Sequence, residues 1–258
     1  MAIEIVPLDC GRITQVERSA HQYFTGFGEK VTAQSVLWLI RGARQTIVVD
    51  VGSGTPERVH ERFGRVFEQS AAQRPRDAVR AAGVDPDEVE VVVQTHLHWD
   101  HALSLEDRPF PNARIYLQRS ELAYAAAPYP PHAGLYDPVS TKGLLPAFAS
   151  EYPEVVVIDG DHELDEHIRI LHMPGHTPGL QALFVHAGST RYAIAGDNVP
   201  WQSSWSGPEP ARWIPQGIHV SLQDCYRSMS RLADVADVVL PSHDECVLGT
   251  VYRDGGGA

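Results

Sequence analysis

The fold class this sequence predicts is a four-layer αββα sandwich, two sheets faced together with helices outside. Three observations carry it. Apolar, β-branched segments recur in two series separated by helical and irregular stretches. Each series ends strands in histidine or aspartate. No linker and no repeat divides the halves, so residues 1–258 read as one domain rather than two.

The elements follow in order. Residues 3–8 alternate enough to open a strand. Residues 18–34 interleave Tyr23, Phe24 and Phe27 with polar residues and glycine. They read as an irregular arm, either a surface connection or a wall of a substrate pocket. Residues 36–40 and 46–52 form a hairpin of two buried strands. Asp50 ends the second of them, placed to orient a metal-binding histidine. Gly52-Ser53-Gly54-Thr55-Pro56 is a turn into a helix, since neither G-x-x-x-x-G-K-[ST] nor G-x-G-x-x-G is present. Residues 56–83 are helical, broken near Pro75 and stopped at Gly83. Strands are expected over 88–94 and 113–118, then a helix over 120–127. Residues 128–138 are too rich in proline for regular structure and read as a lid or an irregular entry to a helix over 141–152. The second series of strands covers 155–159, 168–172, 180–185 and 192–195. An irregular segment, 199–220, holds Trp201, Trp205 and Trp213. Ser221 then caps a helix whose buried face is Leu222, Cys225, Tyr226, Met229, Leu232 and Ala233. Residues 238–240 are the last strand.

Chemistry concentrates where these strands end. Thr95-His96-Leu97-His98-Trp99-Asp100-His101 puts three imidazoles and a carboxylate into six residues, directly after a strand. Pro174-Gly175-His176-Thr177-Pro178-Gly179 holds one more histidine in a forced turn. Gly196-Asp197-Asn198 and Pro241-Ser242-His243 end two further strands. His96, His98, Asp100, His101, His176, Asp197 and His243 are too many for one tetrahedral zinc and suit two metals sharing a bridge. Such donors accept zinc first, with manganese, iron or cobalt as alternatives.

This pattern resembles the metallo-β-lactamase superfamily, with its HxHxDH motif and later His, Asp and His. The resemblance covers essentially the whole chain. It implies the αββα sandwich, one metal on His96, His98 and His176, a second on Asp100, His101 and His243, and Asp197 as bridge. Within the superfamily the chain is most similar to the N-acyl-homoserine lactonases, through HLHWDHA, residues 116–122 and residues 174–183. Two departures stand out. Leu103-Ser104 occupy positions where that branch usually has glycines. Pro200, followed by Trp201, stands where its lactonases carry a tyrosine that assists the lactone carbonyl.

The resemblance implies a metal-dependent hydrolase that uses a hydroxide bridging two metals to open a lactone or related cyclic ester. Asp100 is expected as ligand and as proton shuttle to the leaving group. Trp99, Tyr124, Tyr136, Trp201 and His219 are the expected substrate contacts, with Tyr124, Tyr136 and His219 the candidates to replace the tyrosine. The alternatives are a thioester hydrolase of the glyoxalase II kind, or hydrolysis of another carbonyl such as a cyclic amide. The first calls for a basic patch, and no run of basic residues stands beside the motifs. A regulatory protein on a retired enzyme fold is a different class; the full set of seven donors argues against it.

Composition bounds the partners. The chain is 43% hydrophobic and carries a net charge of −12, which disfavours nucleic acid and anionic membrane surfaces. No stretch approaches a membrane span and no signal peptide is evident, so a cytoplasmic setting is expected. Cys10, Cys225 and Cys246 form no C-x-x-C pair and read as buried apolar residues. The substrate is a small molecule, expected to have an apolar or aromatic part; a homodimer is an assembly the chain allows.

Overall fold

The computed structural model describes residues 2–136, 154–207 and 209–257. The first part of the chain supplies strands β1 (Glu4–Glu17), β2 (Lys30–Arg41), β3 (Ile47–Val49), β4 (Val66–Glu68), β5 (Val91–Val93), β6 (Arg114–Gln118) and β7 (Val155–Ile158). The second supplies β8 (His162–Glu163), β9 (Ile168–His172), β10 (Gln181–Ala187), β11 (Thr190–Ile194) and β12 (Val238–Leu240). Two short strands, β13 (Tyr252–Arg253) and β14 (Gly256–Gly257), return to the first sheet. Its order is β14-β13-β1-β2-β3-β5-β6-β7, with β4 pairing β1; the second sheet runs β12-β11-β10-β9-β8. From β3 to β7 the first sheet is parallel.

Period-two alternation sorts the strand residues into layers. In β5, Val91 and Val93 join Ile5, Trp38, Ile40, Ile168, Ile170, Leu183 and Tyr192 in the core between the sheets. Val92 points the other way, into a cluster with Leu37, Leu39, Val59 and Val79. Val59 and Val79 belong to α2 (Pro56–Phe63) and α3 (Pro75–Ala81). A third cluster packs Leu171, Ala182 and Phe184 of the second sheet on Met229 and Leu232 of the helix Leu222–Val235. The layers are helix, sheet, sheet, helix, as expected, and both faces of the parallel strands are covered.

Several local expectations need correction. The opening strand runs on to Glu17 because β1 pairs with β2 along its length and with β4 at residues 12–14; its polar positions hide this in a single sequence. The arm 18–34 is irregular only in part: Arg18–His21 is one helical turn, α1, and residues 30–34 lie in β2. The stretch 56–83 is interrupted by β4. Leu222 and Tyr226 are exposed; the buried face of the late helix runs through Cys225, Ser228, Met229 and Leu232. Cys10 and Cys225 are buried, but Cys246 is exposed on a 3-10 turn. The helix expected over 141–152 lies outside the described residues. Among the described residues no helix is long and apolar enough to cross a membrane.

Candidate metal centre

The ligand stretch leaves β5 at Val93 and enters a short helix, α4 (Trp99–Ala102). Asp50, just past β3, holds the turn together. It takes hydrogen bonds from the Gln94 amide, from the Thr95 backbone N–H and hydroxyl, and from His101 Nδ1 at 2.7 Å. Asp50 does this in a left-handed backbone conformation, φ 61°, unusual outside glycine. The sequence expectation that it orients a histidine is what the geometry shows.

Three more imidazoles are aimed in the same manner, whereas His98 instead brings its Nδ1 within 2.9 Å of His176 Nε2. His176 Nδ1 donates to the Ile218 carbonyl at 2.6 Å and His243 Nδ1 to the Gln34 carbonyl at 2.8 Å. Thr95 Oγ1 gives its proton to Asp50, so His96 Nδ1 donates to it at 3.0 Å. Each ring thereby turns Nε2, with a free lone pair, towards its neighbours, the arrangement metal-binding histidines adopt.

The donors converge in three groups: His96, His98 and His176; His96, His101 and Asp197; Asp100, His101 and His243. Asp197 stands between them. Its Oδ1 lies 3.2 Å from His101 Nε2 and 3.0 Å from His243 Nε2, while Oδ2 lies 3.4 Å from His176 Nε2. Gln216 Nε2 and Ser242 Oγ each donate to this carboxylate and hold its plane. Asp100 faces His101 and His243 at 3.8 and 3.7 Å and is the most exposed of the seven side chains.

Burial and mutual charge shift the titration of the whole cluster. Burial, with neighbouring imidazoles, pushes the pKa of His96 and His98 well below the usual histidine value. Burial also lowers His176. Burial opposes charge on His101 too, but Asp197, Asp50 and Asp100 outweigh it and hold that ring's pKa well above the usual value. Asp197 is likewise buried, yet His243 and His101 keep its carboxyl well below the carboxylate range. Among the described residues, the buried Nε2 atoms of His96, His98, His101 and His243 have no hydrogen-bond partner. Orphaned polar atoms on this scale are costly unless something binds them. The donor set, five imidazoles and two carboxylates, fits divalent cations.

The turns have local causes. Gly175 sits at φ 145°, and a Cβ there would lie 2.3 Å from the Cys225 nitrogen. A Cβ on Gly179 would lie 2.3 Å from the Glu121 nitrogen. Both contacts lock the His176 turn against a helix, which explains the glycines of that motif.

The chain belongs to the metallo-beta-lactamase superfamily. The family model for it matches residues 32–243. The chain is similar to the N-acyl homoserine lactonase AttM of Rhizobium radiobacter, 30% identical over 179 residues, which is 65% of this chain and 63% of that protein. It is 31% identical over 107 residues to an N-acyl homoserine lactonase of Bacillus thuringiensis, 42% of this chain. That match spans only 37% of the Bacillus protein's length. In fold it is similar to a quorum-quenching N-acyl homoserine lactone lactonase, TM-score 0.74 at 18% identity, covering 100% of this chain and 99% of that one. It also resembles a dizinc quorum-quenching lactonase, AidC, TM-score 0.73 at 18% identity, over 99% and 92% of the two chains.

The expected substrate contacts are dispersed. Trp99 stacks on Phe63, ring centroids 5.2 Å apart, within the apolar cluster rather than among the ligands. Tyr136 is buried with its ring 4.7 Å from that of His98. Tyr124 lies behind it, its hydroxyl bonded to His132. Trp201 is buried and donates its indole N–H to the His243 carbonyl. His219 bonds the Gln216 carbonyl and meets the Tyr23 ring. Trp205 and Trp213 stack on each other near the second sheet's helix. Leu103 is fully buried against Gly54, and Ser104 Oγ accepts from the Gly54 N–H. The close approach that glycines usually provide after the motif is thus supplied by the facing loop.

Two residues were missed by sequence reasoning. Glu121 is fully buried and joins both ligand loops. Oε1 accepts from the Leu97 N–H and Tyr136 hydroxyl, Oε2 from the Thr177 hydroxyl and Gly179 N–H. The other is His21, whose ring packs 5.6 Å from that of His243. A buried acid in a short helix and a histidine in a single helical turn carry no spacing signal. A cavity of about 700 Å³ at Ala2, Gly42, Asp165 and Asp254 is lined by none of the seven donors. The chemistry points instead to the cavity of about 570 Å³ that reaches His243 and Trp201.

Proposed function

We propose that this chain, as one hydrolase domain, opens a lactone or related cyclic ester with two divalent metal ions, zinc first. His96, His98 and His176 would hold one ion, Asp100, His101 and His243 the other, and Asp197 would bridge them. The observation that carries this reading is Asp197, whose two carboxylate oxygens face the two histidine groups separately. When bound, such an ion pair supplies Lewis acidity, which acidifies a water and polarises a carbonyl.

The chain's own residues do the rest. Asp50, the Ile218 carbonyl and the Gln34 carbonyl orient the ligand rings. Gln216 and Ser242 fix the Asp197 carboxylate. Asp100, the ligand with most access, takes the proton released as water attacks and returns it to the leaving alkoxide. Trp201, which lines the cavity reaching His243, offers apolar surface beside the ligands for the rest of a small substrate. The lactonase relatives support the substrate class. Against a glutathione thioester, the cations nearest His243 already have acidic partners: Arg12 with Glu68, Arg18 with Glu29, Lys30 with Glu17.

The test is metal analysis of the purified protein joined to a proton-release assay over lactones, thioesters, β-lactams and phosphodiesters. Lactone turnover by protein holding two metal equivalents is expected. Thioester turnover without lactone turnover overturns the reading.

A further inference from the structure

A lactonase site needs a donor for the scissile carbonyl, and Pro200 cannot be that donor. The side chains expected to replace the tyrosine are already engaged. The Tyr124 hydroxyl shares a hydrogen bond with His132, the Tyr136 hydroxyl donates to Glu121, and His219 Nδ1 bonds the Gln216 carbonyl. His21 is different. It is 7% exposed, makes no hydrogen bond through its ring among the described residues, and its Nδ1 is buried without a partner. Burying a polar ring in this way is unfavourable unless a partner arrives later.

The ring is held beside the metal ligands. It packs edge-on to His243 and lies 5.0 Å from the Trp201 ring. Its backbone is docked on the segment that carries Gln216. Gln22 Nε2 donates to the Ser203 and Ser204 hydroxyls, Tyr23 N–H to the Pro215 carbonyl, and Ile218 N–H to the Ala20 carbonyl. These bonds tie the helical turn that carries His21 to the segment 203–218.

We propose that His21 is the hydrogen-bond donor to the substrate's scissile carbonyl, taking the place of the tyrosine. The proposal rests on the lactone-opening reading of the same site. An imidazole carries an N–H donor in either charge state. Its packing against Trp201 and His243 makes that donor preorganised, the condition under which one hydrogen bond to a developing oxyanion counts most.

The experiment uses the zinc-loaded full chain and its His21→Phe and His21→Gln variants. Phenylalanine keeps the ring packing and removes the donor; glutamine restores an N–H. Metal content, melting temperature and kcat/KM for γ-butyrolactone are measured. So is the infrared carbonyl band of bound ¹³C-labelled γ-butyrolactam, which needs no turnover. His21→Phe is expected to keep both metals, lose about 10²-fold in kcat/KM and raise the lactam band frequency, with His21→Gln recovering part of both. Unchanged kcat/KM and an unchanged band in His21→Phe overturn the proposal. If phenylalanine disrupts folding, His21→Ala with added imidazole replaces it: rescue of turnover supports the assignment and failure of rescue overturns it. If the unaltered chain opens thioesters and no lactone, the functional reading fails while the lactam band still decides the role of His21. Turnover of phosphodiesters alone overturns both.

Discussion

Asp50 accepts four hydrogen bonds in the turn that carries His101, and its loss isolates what orientation contributes. Asp50→Asn is expected to weaken metal binding by roughly 10–100-fold, read by competition with a chelator, with most of the fold retained. Asp100→Asn separates binding from proton transfer. It should leave the sandwich intact and lower kcat by about 10²–10⁴; turnover near that of the parent would remove the shuttle role. Glu121 gives a prediction in pH. Burial raises its pKa, against the pull of Thr177, Leu97, Tyr136 and Gly179. An acid with a raised folded pKa contributes stability that is fully present below its unfolded value and is lost as pH rises through the folded one. The stability advantage of the parent over Glu121→Gln, from urea melts at several pH values, should therefore shrink as pH rises from the ordinary glutamate range. An advantage that grows with pH would contradict this assignment.

The helix Leu222–Val235 shows how elements serve the site. Ser221 Oγ accepts from the Asp224 N–H at its start, and the Ser221 N–H bonds the Gly175 carbonyl in the His176 turn. Ser221→Ala should cost about 1 kcal/mol in a urea melt. Gly175→Ala should cost more than that, because its Cβ has no room and its φ is left-handed. This cap was legible in the sequence, because Ser followed by an acid before an apolar run is a local signal. The helix face was misjudged at Leu222 and Tyr226, since hydrophobicity alone does not say which side meets the sheet. β4, β8, β13 and β14 were not legible. They are two or three residues long, and they are strands only because a neighbouring backbone pairs with them.

At the scale of the molecule, the sandwich and the donor set could be read from residues because each ligand follows an apolar strand. What could not be read was the convergence of distant segments with no motif of their own. His21 lies more than 70 positions before the nearest ligand, and Glu121 reaches two loops from the helix Arg119–Ala126. Trp99 sits inside the motif, yet its ring faces the helical layer because a side chain's neighbours in sequence do not fix its neighbours in space. In the proposed chemistry, two metals share one lactone-opening site. Metal-free protein titrated with zinc, with proton release from γ-butyrolactone followed at each addition, tests it most directly. The rate should rise until two equivalents are bound and then stay level. Full activity at one equivalent, or no lactone opening at any loading, would contradict it.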